Sequence, residues 1–318
     1  MNDIKKPLIS VCIVSYNQEK YILQCLLSII NQKANFELEI IASDDCSTDQ
    51  TAKIIHEVSQ KYPGKIKTIF REMNIGPFEN YVRTHNEASG DYIAHLDGDD
   101  FWLPDKLSKQ LNFLEENPQC IAVYTNAIVT DDAENNIGIF NKKIPSIFDR
   151  NFLLKKGNFL NASSLFYKRS FIKKILPNEK EFIDYQIHLN CSQLGELGYI
   201  NEPMVSYRIH MGGMASKSAS KVLNLYWMAL AKAFKNDGAT PSMKSAITDF
   251  MGTVFCRAII EKNILTAKKW INVVNSETKI SKNHIVTFGL LKAVAKIANS
   301  AKKRLQRSLK MPVIFASR

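Results

Sequence analysis

Along the first 130 residues the hydrophobic pattern alternates between two periods. Leu8-Ile9-Ser10-Val11-Cys12-Ile13-Val14 is a short apolar, β-branched run, the pattern of a strand buried on both faces. Ser15-Tyr16-Asn17 interrupts it, and between Glu19 and Gln32 the residues Ile22, Leu26, Leu27, Ile29 and Ile30 fall at helical spacing. A second strand, Leu38 to Ala42, ends at Ser43-Asp44-Asp45, and Ser47-Thr48-Asp49 offers caps for a helix reaching Tyr62. Pro63-Gly64 stops that helix and Lys65 to Phe70 reads as a third strand. Asn74-Ile75-Gly76-Pro77 turns into a helix ending near Ser89-Gly90. Tyr92 to Leu96 is a fourth strand, broken by Asp97-Gly98-Asp99-Asp100. Pro104 opens a helix to Asn117-Pro118, and Cys120 to Asn126 is a fifth strand. From Asp131 to His210 the pattern is irregular, and from Val222 onward it is helical.

Strands and helices alternating at this spacing predict a mostly parallel sheet with helices on its faces, an α/β fold. Ligands of such sheets bind beyond the carboxyl ends of the strands. Those ends carry Ser15, Asp44, Asp45, Asp97, Asp99 and Asp100, so one rim gathers several carboxylates. No GxGxxG follows the first strand and no GxxxxGK[ST] occurs, which excludes a dinucleotide dehydrogenase and a P-loop NTPase.

The 318 residues suffice for one large α/β domain and a helical appendage. With 45% hydrophobic and 23% charged residues, the composition excludes a disordered chain. No apolar run is long enough for a spanning helix, and the N-terminus lacks the apolar core of a signal peptide, so the expected location is the cytoplasm. Six cysteines without a CxxC pair or zinc-like spacing read as reduced core thiols.

A net charge of +11 raises the question of nucleic acid. Beyond Glu277, however, no acidic residue occurs and ten basic ones do, leaving 32 basic against 31 acidic residues in the body. The basicity belongs to a tail, not to a binding groove, and a nucleic-acid partner is not expected.

The sharpest chemical signal is His95-Leu96-Asp97-Gly98-Asp99-Asp100-Phe101-Trp102. Three carboxylates within four positions repel one another unless solvent or a cation lies among them. Hard oxygen ligands so spaced suit Mg²⁺ or Mn²⁺ held jointly with substrate phosphates. A solvated Asp-Gly turn is the plain alternative. A calcium loop is not, because its twelfth position is Ser108 where a Glu is needed.

Three segments in order, Val11 to Asn17, EIIASDDCSTDQT from Glu39 and ASGDYIAHLDGDD from Ala88, resemble the nucleotide-sugar-binding half of the family 2 glycosyltransferases, which have the GT-A fold. The resemblance extends over residues 7–210. It implies that Ser15, Tyr16 and Asn17, with Asp44 and Asp45, line the nucleoside pocket. Asp97 and Gly98 would meet the ribose side, and Asp99, joined by Asp97, the metal on the diphosphate. Asp184, opening a helix after an irregular loop, corresponds to the acceptor-side base, with a helix N-cap as its other role. Tyr207-Arg208-Ile209-His210 looks like the family's YRxH segment, implying a donor contact for Arg208 and a metal contact for His210. One departure is Asn80-Tyr81-Val82, where a basic contact is frequent in the family; Arg83 is its nearest substitute. His56, His85, His188 and His284 sit on helical stretches without evident partners, His95 packs inside the fourth strand, and Trp102 enters the following helix.

The resulting expectation is a GT-A domain over 1–215, with a nucleotide-sugar half at 7–126 and an acceptor half at 127–215, followed by a helical region over 216–318. By resemblance it is an inverting hexosyl- or N-acetylhexosaminyltransferase using Mg²⁺ or Mn²⁺. A UDP-sugar is its donor, and a saccharide or lipid-linked saccharide of surface polysaccharide assembly its acceptor. A nucleotide-sugar-binding protein or a nucleotidyltransferase is the alternative, though the latter usually has a Gly- and basic-rich loop where Ser15-Tyr16-Asn17-Gln18-Glu19 stands. On a helix drawn from 288 to 310, Leu291, Val294, Ile297, Ala298, Ala301, Leu305 and Leu309 share one side. Lys292, Lys296, Lys303, Arg307 and Lys310 share the other, which predicts a peripheral helix on the inner membrane surface, with a helix packed on the protein's own body as the alternative.

Overall fold

The structure, a computed structural model, describes residues 6–33, 35–210 and 219–306. They divide into two compact units, 6–148 with 160–210, and 149–159 with 219–306.

The first unit is built on one twisted sheet. Strand β1 (Leu8–Ser15) lies between β2 (Glu37–Asp44) and β4 (Tyr92–Asp97), parallel to both, with β3 (Ile66–Phe70) outside β2. Helices α1 (Ile22–Ile30), α2 (Thr51–Lys61) and α3 (Pro77–Asn86) make the crossovers. Ile9, Val11, Cys12 and Ile13 of β1 are fully buried, as its unbroken apolar run requires. Helix α1 starts at Ile22, not Glu19, because residues 17–19 are held by the neighbouring loop, whose Ser47, Thr51 and Asp49 side chains accept from their backbone amides.

The far half of the sheet was not legible. Beyond β4 the order continues β9 (Phe166–Lys168), β6 (Cys120–Thr130), β10 (Glu196–Arg208) and β5 (Phe101–Trp102). Strand β9 runs antiparallel between β4 and β6, while β6 and β10 are parallel. Short strands β7 (Asn136–Ile139) and β8 (Ile147–Phe148) pair with β6 and β10. Trp102 therefore lies in a strand rather than at a helix entry: it pairs with Val205, and its indole N–H donates to Ser163 O at 2.8 Å. Helix α4 begins after it, at Lys106. The Lys106 ammonium, fully buried, lies 3.8 Å from the centre of the Trp102 ring and donates to Gln110 Oε1; burial pushes its pKa well down.

The second unit is helical: α5 (Arg150–Lys156), α8 (Ala219–Asp237), α9 (Pro241–Ile260), α10 (Ile264–Thr278) and α11 (Lys282–Gln306). Helices α8, α9 and α10 meet through Trp227, Phe250 and Trp270, with ring centres 5.0 to 6.2 Å apart. Helix α11 approaches α9 closely at Gly252, where an added Cβ would come 2.6 Å from Lys292 Cβ. Lys296 Nζ reaches Asp249 Oδ2 at 2.9 Å and Thr253 Oγ1 at 2.6 Å. The predicted cationic face is thus corrected at Lys292 and Lys296, whose side of the helix packs on α9. Leu291, Val294 and Ile297 are left exposed. The end of the predicted tail, from 307 on, and the segment 211–218 lie outside the described residues.

Among the described residues no helix is long and apolar enough to cross a membrane. All six cysteines are free, and four are buried.

Candidate active site

The parallel register sets Ser15 beside Asp44 and Val14 beside Asp97, so the carboxyl ends of β1, β2 and β4 form one rim. Asn17 adopts a positive φ of 54°, a conformation Asn tolerates. Its Oδ1 accepts from Thr48 N at 2.8 Å while its own N–H donates to Ser47 Oγ at 2.9 Å, so the first two rim loops are laced together. Asp44 is buried and accepts from Ser47 N and Ser47 Oγ. Asp45 is buried and accepts from Ile75 N and Gly76 N, both at 2.9 Å; burial raises its pKa although these amides oppose it. Ser15, Asn17, Asp44 and Asp45 thus brace the rim, and Tyr16, 45% exposed, is the side chain here that projects from it.

The Asp-Gly-Asp-Asp turn is fixed from several directions. Gly98 N donates to Val14 O, and a Cβ at Gly98 would displace Gln18 Oε1 and crowd Ser15 Cβ, so the turn sits close against β1. The antiparallel pairing of β5 with β10 carries Arg208 and His210 back beside the turn. Arg208 N donates to Asp100 Oδ1 at 2.8 Å, and its guanidinium donates to Asp99 O and to Gln24 Oε1 while lying over the Tyr21 ring. That guanidinium is nearly inaccessible, so Arg208 holds the turn rather than presenting its charge outward.

His210 Nε2 lies 2.8 Å from Asp99 Oδ2, a hydrogen bond that raises the imidazole pKa. Asp100 Oδ2 is buried and makes no hydrogen bond of ordinary geometry; burial, then the charges of Asp99 and Asp97, push its pKa well up. Asp97 is held differently: His95 Nε2 lies 3.1 Å from Oδ1 and Ser163 Oγ 3.4 Å from Oδ2. Desolvation works against its ionisation, yet His95 and Ser163 bring its pKa down.

These side chains fit a divalent cation as a shared ligand set. Among the described residues no group of three or more His, Cys, Asp or Glu closes into a cage. Asp99 and His210 offer one hard oxygen and one imidazole, with the buried carboxyl of Asp100 in the same turn. Mg²⁺ and Mn²⁺ are commonly held by so few protein ligands, with phosphate oxygens completing the shell.

Asp184 is the first residue of α7 (Asp184–Leu194), with Ile183 in the cap position, so its carboxylate is not the N-cap. Its Oδ1 accepts from Tyr185 N at 2.8 Å, His188 Nε2 lies 3.9 Å from Oδ2, and its side chain is 33% exposed. Burial, then the charges of Asp100, Asp184, Asp99 and Asp97, raise the pKa of Tyr207.

The histidines correct the sequence reading. His85 and His188 have partners: His85 lies between Tyr167 and His95, and His188 Nδ1 meets Tyr124 OH at 2.8 Å. His95 is not mere packing but touches Asp97, and His284 packs on Phe288 one helical turn away. Ser163 was missed altogether; it lies 66 positions from Asp97 and no local pattern marks it.

A family model described as Glycosyl transferase family 2 matches residues 10–176. An uncharacterised protein of Mycobacterium tuberculosis is 33% identical over 212 residues, which cover 64% of this chain and 60% of that protein. The chain thus spans less than two thirds of the length of that relative. The putative teichuronic acid biosynthesis glycosyltransferase TuaG of Bacillus subtilis is 30% identical over 226 residues, 70% of this chain and 88% of TuaG. Among solved structures, S. aureus TarS 1–349 in complex with UDP-GlcNAc aligns with a TM-score of 0.61 at 18% identity, covering 85% of this chain and 80% of that one. The mannosyltransferase PcManGT from Pyrobaculum calidifontis, in complex with GDP-Man and Mn²⁺, aligns at 0.56 and 15% identity, covering 92% and 81%. At these identities the two structures establish a shared GT-A fold.

Proposed function

Because the chain belongs to glycosyl transferase family 2, we propose that it transfers a sugar, with inversion, from a nucleoside diphosphate sugar to an acceptor hydroxyl. The observation that carries this reading is the acidic turn Asp97-Gly98-Asp99-Asp100 at the carboxyl end of β4, with Asp99 meeting His210 at 2.8 Å and Asp97 held by His95 and Ser163. A donor subsite is available there, and Asp184 is the candidate acceptor-side base.

The exposed Tyr16 ring provides an apolar face for the base, above the loops braced by Asn17, Asp44 and Asp45. Asp97, held by His95 and Ser163, accepts from a ribose hydroxyl. Asp99 and His210 would hold Mg²⁺ or Mn²⁺, which would offset the charge on the departing phosphate. Asp184 accepts the proton of the acceptor hydroxyl as its oxygen attacks the anomeric carbon. The new C–O bond forms on the face opposite the bond to the diphosphate, which breaks and leaves with its electron pair. Holding donor and acceptor together supplies the positioning.

TarS crystallised with UDP-GlcNAc, and TuaG carries a name from teichuronic acid biosynthesis. These relatives support a UDP-linked hexose or N-acetylhexosamine as donor and a saccharide or lipid-linked saccharide of surface polysaccharide assembly as acceptor. The exposed apolar side of α11 supports peripheral attachment to an anionic membrane surface. The deciding experiment is a screen of UDP- and GDP-sugars for transfer or donor hydrolysis with Mg²⁺, Mn²⁺ or chelator. Turnover of a UDP-sugar that needs the cation is expected; neither turnover nor binding of any nucleotide sugar would overturn the reading.

A further inference from the structure

Behind Asp97 lies a file of buried polar groups that the mechanism above leaves unused. Tyr167 OH stands 2.9 Å from His85 Nδ1, His85 Nε2 stands 3.2 Å from His95 Nδ1, and His95 Nε2 stands 3.1 Å from Asp97 Oδ1. Tyr167 and His85 are fully buried and His95 is 1% exposed, whereas Asp97 reaches the rim with its side chain 40% exposed. The members come from three places: Tyr167 from β9, His85 from α3, His95 and Asp97 from β4. Tyr81 closes the file from the side, its ring 4.0 Å from that of His85 and 4.6 Å from that of His95.

Hydrogen-bond valence fixes the direction of every proton in this file. An ionised carboxylate only accepts, so His95 Nε2 must carry a hydrogen. Neutral His95 then accepts at Nδ1, which requires the hydrogen of His85 on Nε2. His85 in turn accepts at Nδ1 from the Tyr167 O–H. The opposite direction, with His95 as a cation donating from both nitrogens, would make Tyr167 an acceptor. Its own buried O–H would then point at no acceptor among the described residues. Burial, then the neighbouring His95, hold His85 well below the usual imidazole range, which agrees with a neutral His85.

We propose that Tyr167, His85 and His95 form a one-way hydrogen-bond chain that fixes the carboxylate of Asp97 for donor binding. His95 takes one lone-pair direction of Oδ1 and Ser163 approaches Oδ2 from the other side, so the carboxylate plane is set before the donor arrives. His85 and Tyr167 set which nitrogen of His95 carries its hydrogen, and so whether it can donate at all. The three are positioning residues: none touches the reacting atoms. The inference rests on Asp97 serving the nucleoside diphosphate, as proposed above.

The test combines ligand titration with NMR of the full chain. UDP affinity is measured by calorimetry for the parent and for His95→Gln, His95→Phe and Tyr167→Phe. The amide of Gln reaches the place of His95 Nε2 and still donates to Asp97, so His95→Gln should bind UDP within about threefold of the parent. His95→Phe fills the space without a donor and should bind at least about tenfold more weakly, the scale of one lost hydrogen bond to a charged group. Tyr167→Phe should weaken binding about two- to fivefold, and in transfer assays His95→Phe and Tyr167→Phe should raise the donor KM with little change in kcat, while His95→Gln keeps it near that of the parent. In the parent, ¹⁵N spectra should show both His85 and His95 protonated on Nε2 alone. A doubly protonated His95, or a His95→Phe chain that binds UDP as the parent does, would overturn the inference while leaving the function standing. A parent that binds neither UDP nor GDP would overturn the proposed function and the donor-side role with it. If His95→Phe does not fold, His95→Gln and the tautomers of the parent still decide.

Discussion

His210 Nε2 and Asp99 Oδ2 meet at 2.8 Å although 111 positions separate them in the chain. The meeting depends on two residues of β5, Phe101 and Trp102, pairing with β10 and drawing the end of that strand onto the acidic turn. Arg208 secures it by donating to Asp99 O from Nε and to Asp100 Oδ1 from its backbone. The proposed cation site is therefore assembled by a strand pairing, with one ligand from the turn after β4 and the other from just beyond the end of β10.

If Asp99 is a ligand, Asp99→Asn should remove the charge while preserving shape and the contact to His210. Nucleotide-sugar turnover should fall at least about a hundredfold, and the response to added Mn²⁺ should disappear. Measuring turnover against cation concentration checks this; a variant equally active in chelator would exclude a cation from the reaction.

Asp184→Asn should separate chemistry from donor binding. The variant should bind UDP as the parent does but transfer at least about a hundredfold more slowly, the scale of a lost general base. Its amide can no longer accept the acceptor's proton, while the start of α7 keeps an oxygen for Tyr185 N. A parallel loss of UDP affinity would mean that Asp184 shapes the pocket instead.

Gly90→Ala should destabilise the first unit without touching the site. A Cβ there would lie 2.7 Å from Leu8 O and 2.8 Å from Ser10 N, backbone atoms at the start of β1 that cannot yield cheaply. The cost should be about 1–3 kcal/mol, read as a lower urea midpoint at unchanged slope. Because β1 and β4 are parallel and the rim lies at their other ends, UDP affinity at low temperature should match that of the parent.

Truncation after Glu277 should abolish sedimentation with anionic liposomes at low salt. The chain so shortened loses α11, with its exposed Leu291, Val294 and Ile297, and all ten basic residues that follow Glu277. Each basic residue near such a surface contributes about 1 kcal/mol, so the full chain should pellet and release as salt rises. Replacing Leu291, Val294 and Ile297 together by Ser in the full chain separates loss of the apolar face from loss of the helix. Pelleting unchanged by both alterations would exclude the tail as an anchor.

Local chemistry determined much of this protein. The apolar run from Leu8 to Val14, the Asp-Gly break after Leu96 and Asp49, whose carboxylate accepts from Thr51 N at the start of α2, each act within a few positions. The alternation of strand and helix, and the carboxylates at strand ends, could therefore be read without coordinates. What only the tertiary structure decided is pairing between distant segments. Strand β9 enters antiparallel between β4 and β6 on three residues, Phe166–Lys168, too few to carry a periodic signal. Arg208 reads in sequence as a cation facing a ligand, yet the fold turns it inward to Asp99 O, Gln24 and Tyr21. His85 and His95 read as isolated, yet packing α3 against β4 joins them, Tyr167 and Asp97 in one line. Residue type and short-range spacing fix which groups can ionise, cap or coordinate. Which of them meet is set by register and layer packing, whose determinants are spread over the whole chain.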